Sequence, residues 1–135
     1  MRVTPDNITE LGENEVFVFG SNLLGIHGAG AARTAYEKFG AKWGVGEGLT
    51  GRCYAFPTVA RPSGAPAVRQ LERARLEGSR DKLFSVAREH PELVFLLTRV
   101  GCGLAGYDEA EMAILFWDSP VNIIRPAGWE PLSFL

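Results

Sequence analysis

Short apolar runs, separated by stretches of helical period and by glycine-rich turns, divide this chain into elements. Residues 16–19 (Val-Phe-Val-Phe) are continuously apolar between polar flanks, the pattern of a strand covered on both faces. Residues 29–39 change period. Ala32, Ala35, Tyr36 and Phe39 fall on one stripe and Arg33, Thr34, Glu37 and Lys38 opposite, which predicts an amphipathic helix, ended by Gly40. Residues 41–51, with Gly44, Gly46, Gly48 and Gly51, read as loop, and residues 52–56 as a second strand stopped by Pro57. Residues 58–78 give no clear period, because Pro62, Gly64 and Pro66 interrupt them. Ser79 is placed to cap a helix reaching His90 and burying Leu83, Phe84 and Ala87, with Pro91 closing it. Residues 93–98 predict a third strand. Asp108 and Glu111 have capping-box spacing at the head of a helix reaching Phe116 or Trp117, and residues 121–124 predict a fourth strand.

Strands alternating with helices predict an α/β domain, a three-layer sandwich with a mostly parallel sheet of macrodomain-like or Rossmann-like character. At 135 residues the whole chain is expected to form one domain with a core of its own. In such sheets ligands bind outside the carboxyl ends of the strands, where strand order reverses.

Composition narrows the partners. The hydrophobic share of 46% and charged share of 22% are those of a soluble globular protein. A formal net charge of −2 argues against general nucleic-acid or anionic-membrane binding. No run approaches the roughly 18 apolar residues needed to span a bilayer, and the polar N-terminal stretch has no signal-peptide pattern, so a cytoplasmic location is expected. Cys53 and Cys102 form no ligand-spaced cluster, so neither a metal nor a cofactor is expected and both thiols read as reduced. Trp129, Leu132, Phe134 and Leu135 make an apolar C-terminus suited to the chain's own core or to a second subunit, which leaves oligomerisation possible.

The chemistry concentrates in two glycine-rich turns, each between a strand and a helix. The first contains Gly20, Ser21, Asn22, Gly25, His27, Gly28 and Gly30; the second contains Gly101, Cys102, Gly103, Leu104, Ala105, Gly106 and Tyr107. Glycine permits close backbone approach to a ligand, and a helix N-terminus beyond it offers free N–H groups to a phosphate. The second turn matches G-x-G-x-x-G, but the next strand ends in Arg125 and Pro126 with no acidic residue to hold a ribose, which disfavours conventional NAD binding. The first turn lacks the Lys-Ser/Thr ending of a P-loop. Asn22 can hold ribose hydroxyls or brace the turn. His27 can act as a general base, a phosphate partner or a brace. Cys102 can be a nucleophile, paired with His27, or a small buried thiol. Tyr107 can stack on a ligand or fill the core. Glu47, Asp108 and Glu111 are the nearest water-activating acids, the last two equally explained as caps. His90 reads as a helix-terminal residue, and Arg61, Arg69, Arg73, Arg75 and Arg80 as a solvated basic face.

The first turn, Asn22-Leu23-Leu24-Gly25-Ile26-His27-Gly28-Ala29-Gly30-Ala31-Ala32, resembles the asparagine-plus-glycine turn of macrodomains. The stretch Thr98-Arg99-Val100-Gly101-Cys102-Gly103-Leu104-Ala105-Gly106-Tyr107 resembles their Ser-Thr-Gly-type turn, and Cys53-Tyr54-Ala55-Phe56-Pro57 echoes the strand between. A nearer likeness is to a group of short bacterial and phage proteins with Gly-Ser-Asn-Leu…His-Gly-Ala-Gly-Ala-Ala and Gly-Cys-Gly-Leu-Ala-Gly-Tyr turns. The resemblance implies an ADP-ribose-like or other nucleotide ligand. Asn22 would lie at its distal ribose, Gly28 and Gly30 close by, and the amides of Gly101, Gly103, Leu104, Ala105 and Gly106 at its phosphates. Hydrolysis of an ADP-ribosyl bond, a small Cys–His hydrolase or transferase, and a non-catalytic phage-defence module that sequesters a nucleotide signal are the activities to be separated. Two parts of the macrodomain pattern are missing. No Asp-Ala-Ile/Val-Val-Asn strand with an adenine-binding aspartate precedes Val16, where Asp6 is the remaining candidate. The catalytic acid of some ADP-ribose hydrolases is also unplaced.

Overall fold

A computed structural model describes residues 2–130. In chain order the elements are β1 (Glu15–Asn22), α1 (Gly30–Lys38), β2 (Gly48–Thr50), β3 (Cys53–Val59), α2 (Pro66–Arg69), α3 (Arg73–Glu89), β4 (Val94–Leu97), α4 (Glu109–Leu115) and β5 (Ile123–Ile124). The strands form a five-stranded sheet in the order β2-β3-β1-β4-β5, and β1 pairs in parallel with both β3 and β4. β5 is parallel to β4, and β2 alone runs antiparallel, against β3. The protein is therefore an α/β domain with a mostly parallel mixed sheet. Its chain order reverses at β1, since β3 lies on one side and β4 on the other.

Alternation along the strands divides the core into two clusters. Val16, Val18, Tyr54 and Phe56 pack with Leu76, Leu83, Phe84 and Ala87 of α3 and Met112 and Leu115 of α4. Phe17, Phe19, Cys53 and Ala55 pack with Ala32 and Ala35 of α1 and with Phe39 just beyond it. Cys53 has its thiol pushed up to about 12, chiefly by burial. Trp129 is buried, stacked 5.8 Å from Phe116. Leu132, Phe134 and Leu135, the rest of the apolar C-terminus, lie outside the described residues. No helix among the described residues is long and apolar enough to cross a membrane.

Several elements differ from their sequence patterns, each for an identifiable reason. β1 runs on through Gly20, Ser21 and Asn22 because these pair with β3, so long-range hydrogen bonding overrides glycine's weak strand preference. Pro57 does not stop β3. It sits opposite Ser21, where the register shifts, and beyond the residues that β2 pairs, so its missing N–H disturbs no ladder there. Gly48–Thr50, expected as loop, is an edge strand. Ser79 does not cap α3; it is fully buried in the middle of that helix, its Oγ accepting from Arg75 at 2.6 Å. Leu76, Ser79, Leu83 and Ala87 share the inward stripe, which the polar Ser79 conceals in sequence. Tyr36 leaves the buried stripe of α1 and packs on Trp43, ring centroids 5.3 Å apart. Asp108 is the N-cap residue of α4, but its side chain makes no capping bond, so no capping box forms. Gly40, at φ +80°, does end α1, and Ala41 N–H then reaches the Ala35 carbonyl at 3.1 Å.

Candidate functional site

Because β1 and β4 are parallel neighbours, the turns that leave them emerge side by side. A Cβ built on Gly20 would lie 3.4 Å from Gly101 N. Between the turns is a crevice of about 450 Å³ at the carboxyl ends of β1, β3 and β4. That volume is in the range of about 300–1,000 Å³ usual for small-molecule sites, and its place is that of α/β ligand sites.

The first turn is held from within. Asn22 Oδ1 accepts from Ile26 N–H at 3.1 Å and Asn22 Nδ2 donates to the Ile26 carbonyl at 2.9 Å. Asn22 is buried and lines the crevice, yet one N–H and one acceptor site of its amide already brace the turn. Ser21, also lining, donates to the Gly46 carbonyl and so ties the turn to the 41–51 loop. Gly28 and Gly30 line the crevice with no heavy atom within 4 Å of where a Cβ would stand. Ala29 gives α1 no side-chain cap, which leaves the helix's first N–H groups open.

The second turn folds on itself. Cys102, Gly106 and Tyr107 N–H donate to the carbonyls of Arg99, Gly103 and Gly101. Gly106 N–H is thus spent within the turn and Gly106 does not line the crevice, contrary to its expected place among the anion donors. Gly103, Leu104 and Ala105 do line it, and their N–H groups have no acceptor among the described residues. The Leu104 carbonyl accepts from Arg69, so in that trans peptide the Ala105 N–H points away from Arg69. Gly101 lines the crevice at φ +80°, where a Cβ would meet Tyr107 Cδ2 at 2.9 Å; its glycine is needed for packing.

The side chains proposed for covalent chemistry do not meet. His27 is buried beneath the first turn, its Nε2 donating to the Lys42 carbonyl at 3.0 Å and its ring edge-on to Phe19 in the α1-side cluster. Nδ1 has no partner. Cys102 packs against the other cluster, across the sheet, so the expected Cys102–His27 pairing is not formed, and neither residue lines the crevice. Burial raises the Cys102 thiol above its ordinary value, with Arg99 opposing and Asp108 adding. Iodoacetamide at pH 7 is therefore expected to alkylate Cys102 more slowly than an exposed free thiol; a rate above that reference would contradict this placement.

Tyr107 also faces inward. Its hydroxyl lies 2.7 Å from the Thr58 carbonyl and 2.9 Å from that of Leu71, which fastens the turn to the end of β3 and leaves no ring face for a ligand in the crevice. Glu47 follows Gly46, which touches the first turn, but does not line the crevice; its carboxylate is bonded to Arg75 at 2.9 Å and lies near Lys82. Burial works to raise its carboxyl, but hydrogen bonds from Arg75 and Ser79 and the charges of Arg75 and Lys82 hold it below its ordinary value. Asp108 and Glu111 are exposed on α4, away from the lining. Asp6 pairs with Arg99 at 3.1 Å beside a separate hollow of about 300 Å³, where Thr98 and Arg99 line both spaces.

Sequence reasoning missed Arg69. It lines the crevice, is 8% exposed, and donates to the carbonyls of Gly64 at 2.7 Å, Pro62 at 3.4 Å and Leu104. Among the described residues no carboxylate pairs with it. The local excess of arginine was the available signal, but Arg73, Arg75 and Arg80 spend their charge on Glu77, Glu47 and Asp81, so the signal did not single out Arg69. Arg69 and Arg99 are the ionisable side chains in the lining; no carboxylate, imidazole or thiol is among the described lining residues. The surface can thus donate hydrogen bonds to an anion, and the hydroxyls of Ser21, Thr58 and Thr98 that line it have no imidazole or carboxylate beside them among the described lining residues. Comparison of the chain with protein-family models, curated proteins and solved structures returned no match.

Proposed function

We propose that this protein is a macrodomain-like, three-layer α/β domain that binds an ADP-ribose-like or other phosphorylated nucleotide ligand between its two glycine turns and does not turn it over. The carrying observation is the convergence of both turns on one crevice at the ends of parallel strands. Open amides of Gly103, Leu104 and Ala105 and the head of α1 meet the phosphates there, and Gly28 and Gly30 let the ligand approach the backbone. The remaining Asn22 amide valences face ribose hydroxyls.

With no carboxylate, imidazole or thiol among the described lining residues, the crevice favours binding over hydrolysis, and with it a module that sequesters a nucleotide signal. Calorimetric titration with ADP-ribose, AMP and ribose 5-phosphate tests this. Heat on addition of ADP-ribose, followed by recovery of intact ADP-ribose from the denatured complex, is expected. Silence with all three compounds would remove the reading, and recovery of cleaved ligand would convert it to an enzyme.

A further inference from the structure

We propose that Arg69 is the charge-reading residue of the crevice, selecting ligands that carry phosphate or diphosphate, and that anion binding tightens the 60–70 segment over the site. The inference rests on the binding reading above.

A guanidinium carries five N–H donors and a permanent charge. In Arg69, Nε, Nη1 and Nη2 each donate to a main-chain carbonyl, which leaves two N–H groups. Those carbonyls supply dipoles but no opposite charge. A buried cation without a counter-ion is unfavourable, and an anion in the crevice that Arg69 lines supplies the missing charge. Lysine in the same place would offer a point charge without the planar fork that reaches three carbonyls at once.

The same bonds make Arg69 a clasp. The 60–70 segment leaves the sheet and returns, its base closed by the Val59–Gln70 bridge and by Ala60 N–H on the Arg69 carbonyl at 2.7 Å. Residues 61–68 are exposed. The segment meets the second glycine turn through Arg69 on the Leu104 carbonyl, Gln70 on the Ala105 carbonyl at 2.8 Å, and Pro66 beside Gly106. Two of the carbonyls that hold the guanidinium, those of Pro62 and Gly64, belong to the segment itself. An anion that fixes the guanidinium therefore fixes both segment and turn.

The test uses the full chain with pyrophosphate and ADP-ribose as probes, calorimetry for affinity and amide hydrogen exchange for the segment. R69Q is expected to lose about 10- to 100-fold in affinity for both probes, the range for a hydrogen bond to a charged group, and R69K to fall between. Pyrophosphate is expected to slow exchange across residues 60–70 in the wild type and not in R69Q. Should R69Q fail to fold by circular dichroism, R69K affinity and wild-type exchange decide. Wild-type binding with unaltered affinity in the folded variants, or unchanged exchange at saturation, overturns the role of Arg69 and leaves the crevice reading standing. Failure of the wild type to bind either probe overturns both.

Discussion

Gly25→Ala is expected to lower stability by about 3–5 kcal/mol, a fall in Tm of roughly 10 °C or more for a chain of this size. Gly25 adopts φ +69°, a conformation that L side chains rarely take. A Cβ there would stand 2.3 Å from Gly44 C and 2.5 Å from Val45 N. Both are backbone atoms, so no side-chain rotation relieves the clash; the 41–51 loop must move. That loop is fastened to the first turn by Gly44 N–H on the Gly25 carbonyl at 2.8 Å, by Ser21 on the Gly46 carbonyl and by His27 on the Lys42 carbonyl. Displacing it therefore disturbs several hydrogen bonds at once and strips cover from buried His27. Gly28→Ala is the control, with no positive φ and nothing within 4 Å of the new methyl, and is expected to melt within about 2 °C of the wild type. Thermal melts followed by circular dichroism separate the two. Equal melting of Gly25→Ala and wild type would mean that the turn and loop do not pack as described.

The opposite behaviour is expected of Gly103→Val: a folded protein that no longer binds. Gly103 has no positive φ, is exposed, and has open space where its Cβ would stand. Valine is therefore accommodated without moving the turn, and Tm is expected to stay within about 3 °C of the wild type. Its branched side chain projects from a residue that lines the crevice, beside the open amides of Leu104 and Ala105. Blocking two or more amide contacts to a phosphate is worth about 100-fold or more in affinity. Titration of ADP-ribose into wild type and variant, with melts run beside it, reads both halves of the expectation. Undiminished affinity in the variant would place the phosphates elsewhere. Gly101→Val cannot serve instead, since at φ +80° and against Tyr107 and Met112 it would lose binding through loss of packing.

These variants show how far the residues could be read in order. Both turns were visible as glycine-rich stretches after apolar runs, and nine of the twelve ligand-binding positions expected from them, Gly20, Ser21, Asn22, Gly28, Gly30, Gly101, Gly103, Leu104 and Ala105, line the crevice. Cys102, Gly106 and Tyr107 do not, because the turn curls and directs their groups inward to its own carbonyls, to Thr58 and Leu71, and to the α3- and α4-side cluster. A one-dimensional motif does not encode that curl. Arg69 escaped for a related reason. Its neighbours break helical period, and its partner Leu104 is 35 positions away.

What the sequence alone determined is the set of local choices: where apolar runs make strands, where an alanine-rich stripe makes α1, and where glycines let the chain bend. Those choices depend on neighbouring residues, through side-chain period and backbone sterics, and so they are legible in order along the chain. Only the tertiary structure decided that β1 lies between β3 and β4, that His27 and Cys102 fall on opposite sides of the sheet, and that a buried arginine from the unpatterned 58–78 stretch joins the turns. Strand order, register and the pairing of buried charge are settled by burial and hydrogen bonding between residues far apart in the chain, and no local pattern records them.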